Sequence, residues 1–309
     1  MEEISVVIPV YNVQDFLKDC VDSVLSQSFT DIKVILVDDG SKDSSGWLCD
    51  EYSKGDPRIT VIHKENGGLS SARNAGIEWT IRNSDCKWIC FIDSDDWVHK
   101  DYLKLLYNAA VQNNAQVSVC YYSDVSVRKK VDTIENDPVM EMWTAEDAYT
   151  LRSNGPVAYA WNKLYSIDCF KDIRFPEGKY WEDLYITHKI VLPLKQVPVV
   201  KVPLYYYYHN PDGIVRSKWS DRHLDYYESN CLLMDYVKKN STKEFYRKML
   251  NNYVFALCTV YKKTKKNGAR TQKGIPHIAI IRDYAAKALF IHFRDLSINE
   301  KKDLLKIII

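Results

Sequence analysis

The apolar positions of the first half recur with two alternating periods. Ile4-Ser5-Val6-Val7-Ile8-Pro9-Val10 is a β-branched run and predicts a strand closed by Pro9. Phe16, Leu17, Cys20, Val21, Val24 and Leu25 then follow a helical spacing. Ile32 to Val37 predicts a second strand, 44–54 a short helix, Ile59 to Ile62 a third strand and 70–82 another helix. Trp88-Ile89-Cys90-Phe91-Ile92 reads as a fourth, buried strand and runs directly into Asp93-Ser94-Asp95-Asp96. A helix over 102–113 and a strand over 115–122 continue the alternation. Such spacing predicts βαβ units, a mostly parallel sheet and an α/β fold class.

The pattern weakens over 123–155, where Val127-Arg128-Lys129-Lys130 and Glu135-Asn136-Asp137-Pro138 suggest a surface hairpin or loop. Tyrosine-rich residues 202–208 predict a further strand, followed by a Gly-containing loop with Arg216 and Lys218. From Asp221 the spacing turns helical, with Leu224, Tyr227, Cys231, Leu232 and Met234 on one element and 245–261 on another.

Charge sharpens this division. Residues 1–100 hold 10 Lys/Arg and 18 Asp/Glu, a net of −8, whereas residues 201–309 hold 21 and 10, a net of +11. The acidic part suits metal or phosphate chemistry, and the basic part suits contact with something anionic. The eight cysteines match no zinc or redox spacing, which predicts reduced thiols and a cytoplasmic setting. The residues after Met1 predict no secretory leader, and no apolar run reaches membrane-spanning length.

Polar clusters fall at three predicted strand ends: Tyr11-Asn12, Asp38-Asp39 and Asp93 to Asp96. A parallel sheet gathers such ends at one edge, where α/β folds bind ligands. Asp-x-Asp on a turn can present two carboxylates to Mn²⁺ or Mg²⁺, with substrate phosphates completing the shell. The plainer reading of that turn is a solvated bend, with Asp96 capping the next helix. No Gly-x-Gly-x-x-Gly follows the first strand and no Walker loop is present, which disfavours a dehydrogenase or P-loop enzyme.

Four segments carry a resemblance: Val7 to Asn12, Val37 to Ser41, Asn66 to Gly76 and Phe91 to Asp96. In this order, the chain resembles family 2 glycosyltransferases, which are inverting enzymes of the GT-A fold. The resemblance implies a GT-A domain over 1–220, with a nucleotide-sugar half (1–122) and an acceptor half (123–220). A helical, basic and aromatic region would follow over 221–309. Pro9, Val10 and Tyr11 would lie under the nucleotide base. Asp38 would bond the base beside Asp39, and Arg73, near Gly67, would face base or diphosphate. Asp93 and Ser94 would meet the ribose or metal, and Asp95 would be the direct ligand of Mn²⁺ or Mg²⁺.

Trp181-Glu182-Asp183-Leu184 resembles the acceptor half of such enzymes from bacterial surface-polysaccharide synthesis, where the Asp is the catalytic base; this implies Asp183. His209 stands where some relatives place a further metal ligand, and Arg216 could close over the diphosphate. The implied reaction moves a hexose from a UDP-sugar to a saccharide acceptor, carried on a lipid in one reading. Lys262 to Lys266 and Lys301-Lys302, mixed with Tyr, Phe and Ile, predict peripheral contact with the inner face of the plasma membrane. Pairing of two subunits through the same helices is equally compatible, and no nucleic-acid-binding module is visible. A nucleotidyltransferase and an inactive GT-A-like sugar-binding module remain the alternatives. Pro9 to Asn12 in place of a Gly-rich basic loop argues against the first, and the presence of Asp95 and Asp183 argues against the second.

Overall fold

The computed structural model describes residues 3–127, 138–150, 158–210, 221–267 and 276–309. The chain divides into two compact units, residues 1–178 with 186–214 and residues 179–185 with 215–309. This division differs from a boundary at 220, because the short segment carrying Glu182 and Asp183 is counted with the C-terminal helices.

The first unit begins with β1 (Ile4–Val10), α1 (Leu17–Leu25), β2 (Ile32–Asp38), α2 (Ser45–Gly55), β3 (Ile59–His63), α3 (Leu69–Asn83) and β4 (Trp88–Phe91). β1 pairs in parallel with β2 and β4, and β2 with β3. The β-branched runs form strands because both faces are covered; every residue of β1 is buried. Pro9 does not end β1, which runs on through Val10. The register with β4 stops at Val7–Phe91, so Pro9 lies where β1 has no ladder partner on that side. α3 packs closely on β1: a Cβ at Gly76 would meet Val7 Cγ1 at 2.4 Å. Ser5 and Thr80 hydroxyls are bonded across the same contact at 2.7 Å.

Beyond β4 the sheet becomes mixed. It adds β5 (Trp97–Val98), β6 (Val117–Val125), β7 (Met140–Thr144), β8 (Lys163–Ser166) and β9 (Gln196–Tyr208). Among the described residues the strand order is β3-β2-β1-β4-β8-β6-β9-β5, with β7 on β9. β8 is antiparallel to both β4 and β6, whereas β6 and β9 are parallel. Trp161 belongs to the core cluster shared with β1, β2 and β4. The helices are α4 (Tyr102–Gln112), α5 (Ala145–Thr150) and α6 (Thr187–Val191). The expected surface segment over 123–155 thus contains the end of β6, β7 and α5 among its described residues, while 128–137 and 151–155 lie outside them.

The second unit contains α7 (Asp225–Asn240), α8 (Lys243–Asn267), α9 (His277–Ile291) and α10 (Ile298–Ile308). Tyr227, Leu233, Met234 and Val237 of α7 are buried. Segment 179–185 is tied to α7 through Asp225, whose carboxylate accepts from Lys179 Nζ at 3.1 Å and from Tyr180 N at 3.0 Å. Among the described residues no helix is long and apolar enough to cross a membrane.

Candidate functional site

The strand order 3-2-1-4 reverses direction between β1 and β4, and ligands of open α/β sheets bind outside the strand ends at such a switch point. Tyr11 follows β1 there and is 44% exposed, directly after the buried Pro9 and Val10. Its exposed ring can serve as a stacking surface for a planar ligand.

At the end of β2, Asp38 and Asp39 both turn inward. Asp38 accepts from Ser41 N at 3.0 Å and bonds His63 Nδ1 at 2.9 Å. Burial pushes its carboxyl up, but the Ser41 and His63 bonds outweigh burial and leave it below the ordinary carboxylate value. His63 Nε2 reaches Asp50 at 3.0 Å, and the bonds to Asp50 and Asp38 raise its pKa above the ordinary value. Asp39 accepts from Gly67 N (3.0 Å), Gly68 N (2.7 Å) and Lys64 Nζ (2.6 Å). It therefore fixes the glycine turn that opens α3. Gly40, directly after Asp39, has φ +74°, and an added Cβ would meet Asn66 N at 3.0 Å.

α3 carries Arg73 into the interior. It is 1% exposed, its guanidinium donates to Asp93 Oδ1 at 2.6 Å, and its Cζ stands 5.2 Å from the centre of the Phe175 ring. Arg73 is therefore not a surface arginine. Asp93 ends the buried β4 run, and its backbone N–H donates to the Tyr205 hydroxyl at 3.1 Å. Ser94 is buried, and Asp95 is half-buried and accepts from Asn210 Nδ2 at 2.9 Å.

Asp96 is not a helix cap. It is fully buried and accepts from the Tyr205 hydroxyl and from Tyr208 N, each at 2.7 Å. The next helix, α4, begins only at Tyr102. Burial and then the neighbouring Asp95 and Asp93 charges push the Asp96 carboxyl well up. Asp96 thus fastens the acidic turn to the end of β9. Sequence reasoning missed the roles of Tyr205, Asn210, His63 and Lys64. The tyrosine run marks β9, but nothing in its spacing says which hydroxyl turns toward the acids.

His209 Nε2 lies 2.9 Å from Asp124 Oδ1, a pair brought together by the parallel β6–β9 register. Among the described residues no group of three or more His, Cys, Asp and Glu side chains is placed to hold a metal. The acidic turn still offers hard oxygen donors, and Mg²⁺ and Mn²⁺ sites of this kind use one or two carboxylates plus substrate phosphates. With Asp93 engaged by Arg73, the donor chemistry fits such a cation best at Asp95. Arg216 lies outside the described residues. Asp183 belongs to the second unit, in a 3₁₀ turn over Glu182–Tyr185, and its Oδ1 accepts from Leu184 N at 2.9 Å.

Comparison with known proteins adds three findings. Residues 5–174 match the family model described as Glycosyl transferase family 2. The chain is 33% identical over 230 residues to Glycosyltransferase GlyA of Streptococcus pneumoniae serotype 4, covering 72% of this chain but only 32% of GlyA. It is 31% identical over 262 residues to Putative glycosyltransferase EpsH of Bacillus subtilis, covering 81% of this chain and 74% of EpsH. Among solved structures, S. aureus TarS 1–349 in complex with UDP-GlcNAc superposes with a TM-score of 0.68 at 18% identity, over 99% of this chain and 90% of TarS 1–349. That likeness is one of fold.

Proposed function

Because the chain belongs to glycosyl transferase family 2, we propose that it transfers a hexose from a UDP-sugar to a saccharide acceptor with inversion, in the synthesis of a cell-surface polysaccharide. The observation that carries this reading is the gathering of Asp38, Asp39, Arg73 and Asp93 to Asp96 around the ends of β1, β2 and β4, beside the open ring of Tyr11. TarS, whose fold it shares, has been seen with UDP-GlcNAc, and the relatives include a poly(ribitol-phosphate) beta-glucosyltransferase, which favours a UDP-hexose and a surface polymer.

In this reading Tyr11 stacks on the base, over the floor of Pro9 and Val10. Asp38 orients the base edge from its anchored position, and Asp39 holds the Gly67–Gly68 turn in place. Arg73 fixes Asp93 toward the ribose, with Ser94 beside it. Asp95 would hold Mn²⁺ or Mg²⁺ together with the donor diphosphate. When bound, that cation offsets the negative charge that builds on the departing UDP. Asp183 accepts the proton of the acceptor hydroxyl as the new glycosidic bond forms, and the donor's bond to diphosphate breaks from the opposite face. The test is incubation with a panel of radiolabelled sugar nucleotides and a bacterial lipid-linked saccharide fraction. Transfer of one hexose from a UDP-sugar, with release of UDP, supports the reading; conversion of the sugar nucleotide and added pyrophosphate to sugar 1-phosphate and nucleoside triphosphate would make the chain a nucleotidyltransferase.

A further inference from the structure

Both faces of α10 carry apolar side chains. Its inner face buries Leu304 and Ile307. Its outer face is also apolar: Ile298 is 72% exposed, Leu305 42% and Ile309, just past the helix, 87%. With Lys302 they fall at i, i+4, i+7 and i+11, one stripe on a 3.6-residue helix. The helix is well anchored. Ser297 and Glu300 form a reciprocal capping box, and Arg247 binds the Glu300 carboxylate. The outer stripe is therefore a feature of a fixed helix and not of a fraying end.

Beside this stripe lies a cavity of ≈ 480 Å³ ringed by four cations, Lys265, Arg282, Lys302 and Lys306, with Tyr261 and Leu305 among its walls. Arg282 is held in place by donating to Ile307 O and Ile309 O, both at 3.1 Å. Lys306 also pairs with Asp303 at 2.9 Å, an exposed contact. On the other flank of the stripe Lys301 lies 4.1 Å over the ring of Phe293, which is itself exposed. Lysines flanking exposed apolar side chains on a fixed helix match the requirements of a lipid interface, where hydrocarbon takes the apolar groups and headgroup phosphates take the cations.

We propose that the outer face of α10 and the adjoining cationic cavity dock this chain on an anionic lipid surface. Ile298, Leu305 and Ile309 enter the headgroup boundary, while Lys265, Arg282, Lys302 and Lys306 meet lipid phosphates. A second copy is a poorer occupant, because a symmetric contact would set the same cations against each other. Free phosphate satisfies the cavity but leaves the apolar stripe in water. The inference does not rest on the reading of the sugar-transfer site.

The test is flotation of the full chain with vesicles of phosphatidylcholine alone and of phosphatidylcholine mixed with phosphatidylglycerol. Binding to the mixed vesicles only is expected, weakened by salt and no more by inorganic phosphate than by sodium chloride of equal ionic strength. The double variants Lys302→Glu/Lys306→Glu and Ile298→Ser/Leu305→Ser should each lose about tenfold or more in affinity. All four side chains are solvent-facing, so melting curves matching the wild type are expected for both variants. Any of these results would overturn the proposal: no preference for anionic vesicles, displacement by inorganic phosphate beyond that caused by sodium chloride of equal ionic strength, or sedimentation showing a dimer that Ile298→Ser/Leu305→Ser abolishes. Unchanged vesicle binding by both variants would do the same.

Discussion

The Tyr205 hydroxyl donates to Asp96 Oδ2 at 2.7 Å and at the same time accepts from Asp93 N at 3.1 Å. One buried oxygen on β9 thus holds both ends of the four-residue acidic turn that follows β4. The turn's outward member, Asp95, is presented by residues that do not themselves need to touch a ligand.

Tyr205→Phe removes that oxygen and leaves the buried Asp96 carboxylate with the Tyr208 N–H. A loss of about 1–3 kcal/mol in unfolding free energy is expected, measurable by urea denaturation. If the turn is also the donor site, the variant weakens UDP binding in a stability-matched assay at lower temperature.

Arg73→Met strands Asp93 beside an apolar side chain. Breaking one partner of a buried pair costs about 3–5 kcal/mol, and Asp93 retains some solvent contact, so a loss of about 3 kcal/mol is expected. Lys in place of Arg restores the charge but not the forked geometry or the position over Phe175, and it should recover only part of the loss in a thermal melt.

The Asp38–His63–Asp50 chain makes stability depend on pH in two windows. His63 titrates above its ordinary value near 6.5, so its contribution is complete below that value and is lost as pH rises through the higher folded pKa. Asp38 titrates below its ordinary value, so its contribution is present above about pH 4 and is lost as pH falls through the lower folded pKa. Imidazole NMR titration should show His63 raised, and His63→Gln should flatten the alkaline limb of the stability profile.

Asp183→Asn keeps the shape of the 3₁₀ turn, because the amide oxygen can still accept from Leu184 N. If Asp183 is the base, transfer falls by between about a hundred- and ten-thousandfold while UDP binding is unchanged. Equal transfer by the variant would remove Asp183 from the mechanism.

The parallel half of the fold was legible because its central strands β1, β2 and β4 are almost wholly buried. Uninterrupted apolar runs such as Trp88 to Ile92 therefore announce themselves and point to the acids that follow. The mixed half was not. β8 is a short antiparallel strand inserted between β4 and β6, and its Lys163 is fully buried, with Nζ bonded to Tyr159 O and Asn162 Oδ1. A lysine in a four-residue strand carries no periodic signal of burial. β5 is two residues long, too short to show any period. Type and order placed the acids at the strand ends, but not their orientation: Asp39 and Asp96 turn inward to organise backbone, and His209 turns to Asp124. Hydrogen bonds between residues a hundred positions apart, such as Tyr205 to Asp96, depend on strand register and leave no local trace.

The central claim is that Asp95 presents a cation to a UDP-sugar at the end of β4. Calorimetric titration of UDP into the wild type and into Asp95→Ala, each with and without Mn²⁺, tests it most directly. The account predicts UDP binding that Mn²⁺ strengthens in the wild type and no longer strengthens in the variant. UDP binding indifferent to Mn²⁺, or equally strengthened in Asp95→Ala, would contradict it.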